Sequence, residues 1–311
     1  MKAHGLHHVT GITADPQKNI DFYTGVLGLR MVKLTVNFDD PRAYHLYYGN
    51  SSGEPGTAMT FFSWPNVRTG VTGVGEIASV AFSIPAGSVE FWERHLEGKG
   101  VSYSRGTRFG EAFILLRDPD GLELELVAET PLASVEPWTT PVFSSDNAIR
   151  AFHGIGIAED IGARTRAFIS ERFGYSGGES DAGTYRYRAN ESGPGRCIYV
   201  RIAPDELRGV MGSGTIHHAA FRADDDADEL KIRGELLAAG MEATQVIDRT
   251  YFHSVYFREP GGVLFEIATD APGFTVDEPL ASLGTRLCLP PQFEMHREEI
   301  VRALPPLKLP A

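Results

Sequence analysis

Short apolar runs of strand length recur along the chain at residues 6–12, 77–84, 152–158 and 216–223. Each is followed by a polar turn and an amphipathic stretch of helical period. The four stretches are DPQKNIDFYTGVLG, GSVEFWERHLEGKG, DIGARTRAFISERFG and DADELKIRGELLAAG. In the first, Asp15 is the predicted N-cap and Pro16 the first helical residue. All four run into a glycine, the usual residue after a helix C-terminus. Three further runs rich in Tyr, Phe, Val and Ile follow each helix and read as strands.

This order predicts an α+β fold of four βαβββ modules of roughly 65 to 75 residues each. The final hairpins of the second and fourth modules can be superposed. RDPDGLELELVAE (117–129) lies over REPGGVLFEIATD (258–270), with Pro119 on Pro260, Gly121 on Gly262 and Glu125 on Glu266. The predicted organisation is a pair of modules over 1–131, a Pro/Ser/Thr-rich linker over 132–149, a second pair over 150–270, and a tail over 271–311 with a short helix near PQFEMHREEIVRAL.

Composition is that of a globular protein, with 42% apolar and 23% charged residues. A net charge of −12 argues against nucleic acid and anionic membrane as partners. The N-terminus MKAHGLHHVTG has no apolar run of signal or membrane length. The two cysteines, Cys197 and Cys288, form no CxxC motif, which fits a reducing, cytoplasmic setting. The oligomeric state stays open, a homo-oligomer included.

Two histidine doublets stand at the same place in the repeat: His7-His8 opens the first module and His217-His218 the fourth. Neighbouring side chains on a strand point to opposite faces, so one histidine of each pair should face a common cup. Glu266 sits in the apolar strand GGVLFEIAT, where an unpaired carboxylate is costly. Two histidines and a carboxylate on one concave sheet make the facial triad of non-haem iron oxygenases, which leaves metal positions open for reactants. Each residue also has a plain structural reading, as a satisfied strand histidine or a salt-bridge partner.

The other modules serve as controls. The second has Glu125 but Ser79 at the histidine position; the third has His153 but no carboxylate in its last strand. A complete set exists only across modules one and four, so those two are expected to pair, and two with three. In the first module, matching the prolines puts Phe61 at the position of Glu266. Thr10 shares a strand face with His8 and is a candidate pocket residue. His4, His45 and His253 have no repeated context and read as structural or surface residues.

Taken together, LHHVT, YHLYYGNSSGEPGTAMTFF, GTRFG, IHHAAF, DRTYFHSVYFREPGGVLFEIATD and SLGTRLCLPPQFE resemble the vicinal oxygen chelate superfamily. More narrowly, they resemble its ring-cleaving dioxygenases of the hydroquinone-cleaving type. The resemblance implies cupped mixed sheets around a metal, Fe(II) or Mn(II), held by His8, His218 and Glu266. It implies acid–base or supporting roles for Tyr256, Arg249, His217 and His7. The implied reaction is ring opening of a hydroquinone- or catechol-type aromatic with O2, in aromatic compound degradation. The alternatives are a glyoxalase-like isomerase or lyase and a metal-free protein that sequesters an aromatic compound. Glyoxalase-like enzymes commonly add a fourth protein ligand, and TAMTFFSW offers no Asp or Glu for it.

Overall fold

The computed structural model describes every residue except 1, 3, 130–134, 190–192 and 311. The module boundary expected at 131 and the start of the linker lie outside the described residues.

All four repeats form. The first contains β1 (Leu6–Thr13), α1 (Pro16–Gly25), β2 (Arg30–Val36), β3 (Tyr44–Gly49) and β4 (Ala58–Ser63). The second contains β5 (Glu76–Pro85), α2 (Val89–Gly98), β6 (Tyr103–Arg108), β7 (Glu111–Arg117) and β8 (Glu123–Glu129). The third contains β9 (Ala151–Glu159), α3 (Ala163–Ala167), β10 (Tyr175–Asp181), β11 (Thr184–Ala189) and β12 (Cys197–Ile202). The fourth contains β13 (Ile216–Ala223), α4 (Asp226–Ala238), β14 (Ile247–Asp248), β15 (His253–Arg258) and β16 (Leu264–Thr269).

The expected helix signals are present. Asp15 accepts hydrogen bonds from the amides of Gln17 and Lys18, and Pro16 takes the first helical position. The third helix is shorter than its pattern suggests: after Ala167 it loosens into a π-turn over Phe168–Arg172. The tail carries a 3₁₀ turn at Pro291–His296 and then α5 (Arg297–Ala303), where a short helix is expected. Among the described residues, no helix is long and apolar enough to cross a membrane.

Two curled eight-stranded sheets result, with strand orders β14-β15-β16-β13-β1-β4-β3-β2 and β10-β11-β12-β9-β5-β8-β7-β6. Modules one and four therefore share one cup, and two and three the other. Each cup is joined at its centre by an antiparallel pair, β1 with β13 and β5 with β9. The helices bury their apolar sides on the convex faces, around residues such as Tyr23, Trp92, Phe173 and Leu236. The tail closes part of the first cup. Phe274 and Leu283 pack there with Tyr47, Tyr251 and Phe252. Lys33, on β2, is fully buried and lies 2.5 Å from both Asp277 and Glu278, which ties the tail down.

Candidate metal centre

The centre of the first cup brings together the three residues that pattern and resemblance select. His8 on β1, His218 on β13 and Glu266 on β16 are all buried. His218 Nε2 lies 2.9 Å from Glu266 Oε2, His8 Nε2 lies 3.5 Å from the same oxygen, and the two Nε2 atoms are 3.3 Å apart. Three donors on one face of an octahedron, with bonds near 2.1 Å, stand about 3.0 Å apart. The observed triangle has that size.

The donor chemistry also fits a cation. Glu266 Oε1 accepts a 2.5 Å hydrogen bond from Ser254, while Oε2 is buried with no aligned hydrogen-bond donor. Burial pushes His218 below the usual histidine range, the form that ligates through a lone pair. Among the described residues, the ion-pair partners of Glu266 are only these two imidazoles. A buried carboxylate so placed calls for a positive charge.

The outer histidines, His7 and His217, do not simply turn to the opposite face as strand alternation predicts. Leu6 pairs with Phe221 but His8 pairs with the adjacent Ala220, so His7 is an extra residue, a β-bulge. Thr10 pairs with His218 but Gly11 with Ile216, so His217 is a second bulge. Bulges beside functional sites re-aim side chains. Here each places an outer Nδ1 against an inner Nδ1, at 2.9 Å for His7–His8 and 2.7 Å for His217–His218. Burial, then the neighbouring His8, pushes His7 well below the usual histidine range. A hydrogen bond at Nδ1 is the device by which outer residues orient a ligating imidazole and leave its Nε2 for a metal. Burial, then the neighbouring His218, pushes His217 down to about 3.

Tyr256 on β15 is the direct cross-strand partner of Glu266. Its ring stands edge-on to His218, with centroids 5.6 Å apart. Burial, then the neighbouring Glu266 charge, raises the Tyr256 phenol above its ordinary value, although the Arg249 charge opposes the rise. Arg249 lies over that ring at 5.3 Å and pairs with Asp39 at 3.6 Å. Thr10 is fully buried with its hydroxyl 2.8 Å from that of Thr60, and the slot in front of the triad is lined without it.

That slot is narrow. His8, His218, Tyr256, Arg249, Phe62, Phe252, Tyr47 and His45 line it. His45 is thus a site residue that sequence context hides. Tyr47 and Ser254 are further residues that the pattern does not single out, since a strand tyrosine and serine have ordinary packing roles.

Two alignments are corrected by strand register. Glu266 pairs with Ala220, two residues after His218; in the first module Thr10, two after His8, pairs with Thr60. The counterpart of Glu266 is therefore Thr60, not Phe61. Phe61 instead pairs with Gly11 and packs on Tyr23 in the convex core. In the second cup the extra residue of β9 is His153, which makes it the counterpart of an outer histidine rather than of a ligand. The positions of the two inner histidines there fall on Ser79 and Gly154.

The second cup is closed by internal ion pairs. Arg108 embraces Glu125 with both guanidinium ends, one at 3.0 Å. His153 lies 2.9 Å from Glu129 and 2.7 Å from the Tyr199 hydroxyl. Arg186 and Arg188 both reach Glu111 at 3.0 Å. His253 pairs with Asp226 at 2.7 Å near the surface, and His4 lies 3.7 Å from Asp228.

Cupped βαβββ sheets with two strand histidines and a strand glutamate at their centre define a class of metal-centre scaffold. The chain belongs to the glyoxalase/bleomycin resistance protein/dioxygenase superfamily, whose profile matches residues 5–126 and 163–267. It is 43% identical over 308 residues to a Bacillus subtilis (strain 168) protein provisionally named a ring-cleaving dioxygenase, MhqO, covering 99% of this chain and 98% of that one. It is 33% identical over 312 residues to the chlorohydroquinone/hydroquinone 1,2-dioxygenase of Sphingobium indicum, covering 97% and 96%. A crystal structure of a provisionally designated dioxygenase from Bacillus subtilis superposes with a TM-score of 0.96 at 42% identity, over 99% of both chains. Glyoxalase I from Zea mays shares the fold alone, with a TM-score of 0.62 at 13% identity over 86% of this chain and 92% of that one.

Proposed function

We propose that this chain is a ring-cleaving dioxygenase that opens a hydroquinone- or catechol-type aromatic with O2, using Fe(II) or Mn(II) held by His8, His218 and Glu266. The observation that carries the reading is the triangle of donor atoms at 2.9, 3.3 and 3.5 Å, one corner of it a buried carboxylate oxygen with no aligned hydrogen-bond donor. Such a metal, when bound, draws charge from the substrate and holds both reactants in its open positions.

The protein's own residues do the rest. Ser254 holds Oε1 of Glu266 and so aims Oε2, and His7 holds Nδ1 of His8. Tyr256, with Arg249 over its ring, offers a hydroxyl beside the triad that can hold or pass a proton. Phe62 and Phe252 line the slot among its histidines and Arg249, a mixed lining that suits an aromatic ring bearing polar groups. The names borne by the relatives support ring cleavage. Free, buried Cys197 and Cys288 suit a cytoplasmic enzyme of aromatic compound degradation.

The isomerase alternative is disfavoured by Thr60, since a threonine stands where a fourth protein carboxylate would come from. A sequestering protein would not need the triad at all. The test is oxygen uptake by anaerobically Fe(II)-loaded protein with a panel of hydroquinones and catechols. Stoichiometric uptake with ring-opened product supports the proposal; uptake with none of the panel overturns it.

A further inference from the structure

The first cup has an internal two-fold likeness that extends beyond the triad. Tyr256 pairs across its hairpin with Glu266, and Tyr47 pairs across its hairpin with Thr60, the counterpart of Glu266. Two residues earlier, Ser254 bonds Glu266, and His45 bonds Thr60. The slot therefore has a tyrosine on each side, and the site described so far uses only Tyr256.

The Tyr47 side is built as a closed chain of hydrogen bonds. The Tyr47 hydroxyl lies 2.9 Å from His45 Nδ1, His45 Nε2 lies 2.9 Å from Thr60 Oγ1, and Thr60 Oγ1 lies 2.8 Å from Thr10 Oγ1. All four residues are buried. His45 has no ring nitrogen left for another partner, and its ring is clamped between Tyr47 at 4.0 Å and Phe62 at 4.5 Å. The Tyr47 ring is held in turn by Phe274 of the tail, at 5.1 Å. What remains is the second hydrogen-bonding capacity of the Tyr47 hydroxyl, on a residue that lines the slot. A buried hydroxyl fixed in direction by a chain of partners suits recognition of a polar group on an incoming ligand.

We propose that Tyr47, positioned by His45, binds a second polar substituent of the aromatic substrate, on the side of the slot opposite Tyr256. The inference rests on the ring-cleaving reading above and assigns the ring hydroxyl not held at the triad to this tyrosine. His45 has both ring nitrogens engaged and acts by holding the Tyr47 hydroxyl.

The experiment measures dissociation constants by calorimetry on Fe(II)-loaded protein under strict anaerobiosis, with hydroquinone and with phenol. Wild type is expected to bind hydroquinone about tenfold more tightly, the value of one well-placed hydrogen bond. Tyr47→Phe keeps the ring and should bring the ratio of the two constants close to one, with phenol binding unchanged. His45→Leu should do the same with Tyr47 intact, and thermal melting checks that each variant is folded. A ratio unchanged in Tyr47→Phe, or a wild type without preference for hydroquinone, overturns the inference and leaves the proposed function standing. A ratio lost in Tyr47→Phe but kept in His45→Leu overturns the positioning role of His45. If wild type binds neither ligand, the proposed function falls and this inference with it.

Discussion

Arg108→Met should destabilise the protein without touching the proposed metal centre. Glu125 is the second-cup counterpart of Glu266, and it is 3% exposed. Its charge is met by Arg108, which grips it at both oxygens and lies over the Tyr199 ring at 4.3 Å. Methionine keeps the length of the apolar stem but leaves the carboxylate buried and unpaired. Breaking a buried pair from one side costs about 3–5 kcal/mol. The Arg108 side chain is 21% exposed, so water screens part of the loss, and a value near the lower limit, about 3 kcal/mol, is expected. For a chain of this length that is a fall of about 6 °C in melting temperature. Adding Glu125→Leu removes the stranded charge and should restore stability to within about 1 kcal/mol of the wild type, because both partners have become apolar. Guanidinium denaturation of the four proteins of the cycle separates the pair from the lost ring contact, which is absent from both Arg108 variants. If Arg108→Met costs less than about 1 kcal/mol, the ion pair is not what keeps the second cup closed. If it releases bound iron at unchanged stability, the assignment of the two cups is wrong.

Tyr256→Phe should retain iron and turn over aromatic substrate about 10²–10³ more slowly, as expected for loss of one positioned donor; near-wild-type oxygen uptake per iron would leave Tyr256 a packing residue. Glu159 and Glu259 crowd together around Gly261, and burial and then the Glu259 charge push Glu159 up from 4.5 to about 7. The folded state therefore holds this proton more tightly than the unfolded chain, so the contribution is fully present below pH 4.5 and is lost as pH rises to 7. Glu159→Gln should melt progressively above the wild type as pH is raised through that window, and a difference that stays flat with pH would show that the carboxylates are not coupled to folding.

The repeat and its pairing are legible in the sequence because period-two strands, helix caps and glycine stops each leave a local mark. Convergence of His8, His218 and Glu266 then selects which modules share a sheet. Register between strands is what escapes. Nothing local shows that His7 and His217 are bulged, since a bulge is a mismatch between two strands distant in sequence. The same limit puts Phe61 for Thr60, an error of one residue that moves a side chain from cup to core. His45 and Tyr47 are hidden because their meaning lies in Thr60 and Thr10, which only sheet formation brings near. Arg108 lies within GTRFG, but its partner Glu125 shows only once β6, β7 and β8 form one sheet.

The most direct test of the metal centre is the iron content of the wild type and of His8→Ala, His218→Ala and Glu266→Ala after anaerobic Fe(II) loading and gel filtration. Wild type should hold about one iron per chain, matching one facial triad. Each variant should lose most of it while circular dichroism and melting report an intact fold, because the larger core lies on the convex faces, away from the cup. Wild-type iron content in any one folded variant would contradict the assignment of that residue, and in all three it would contradict the account.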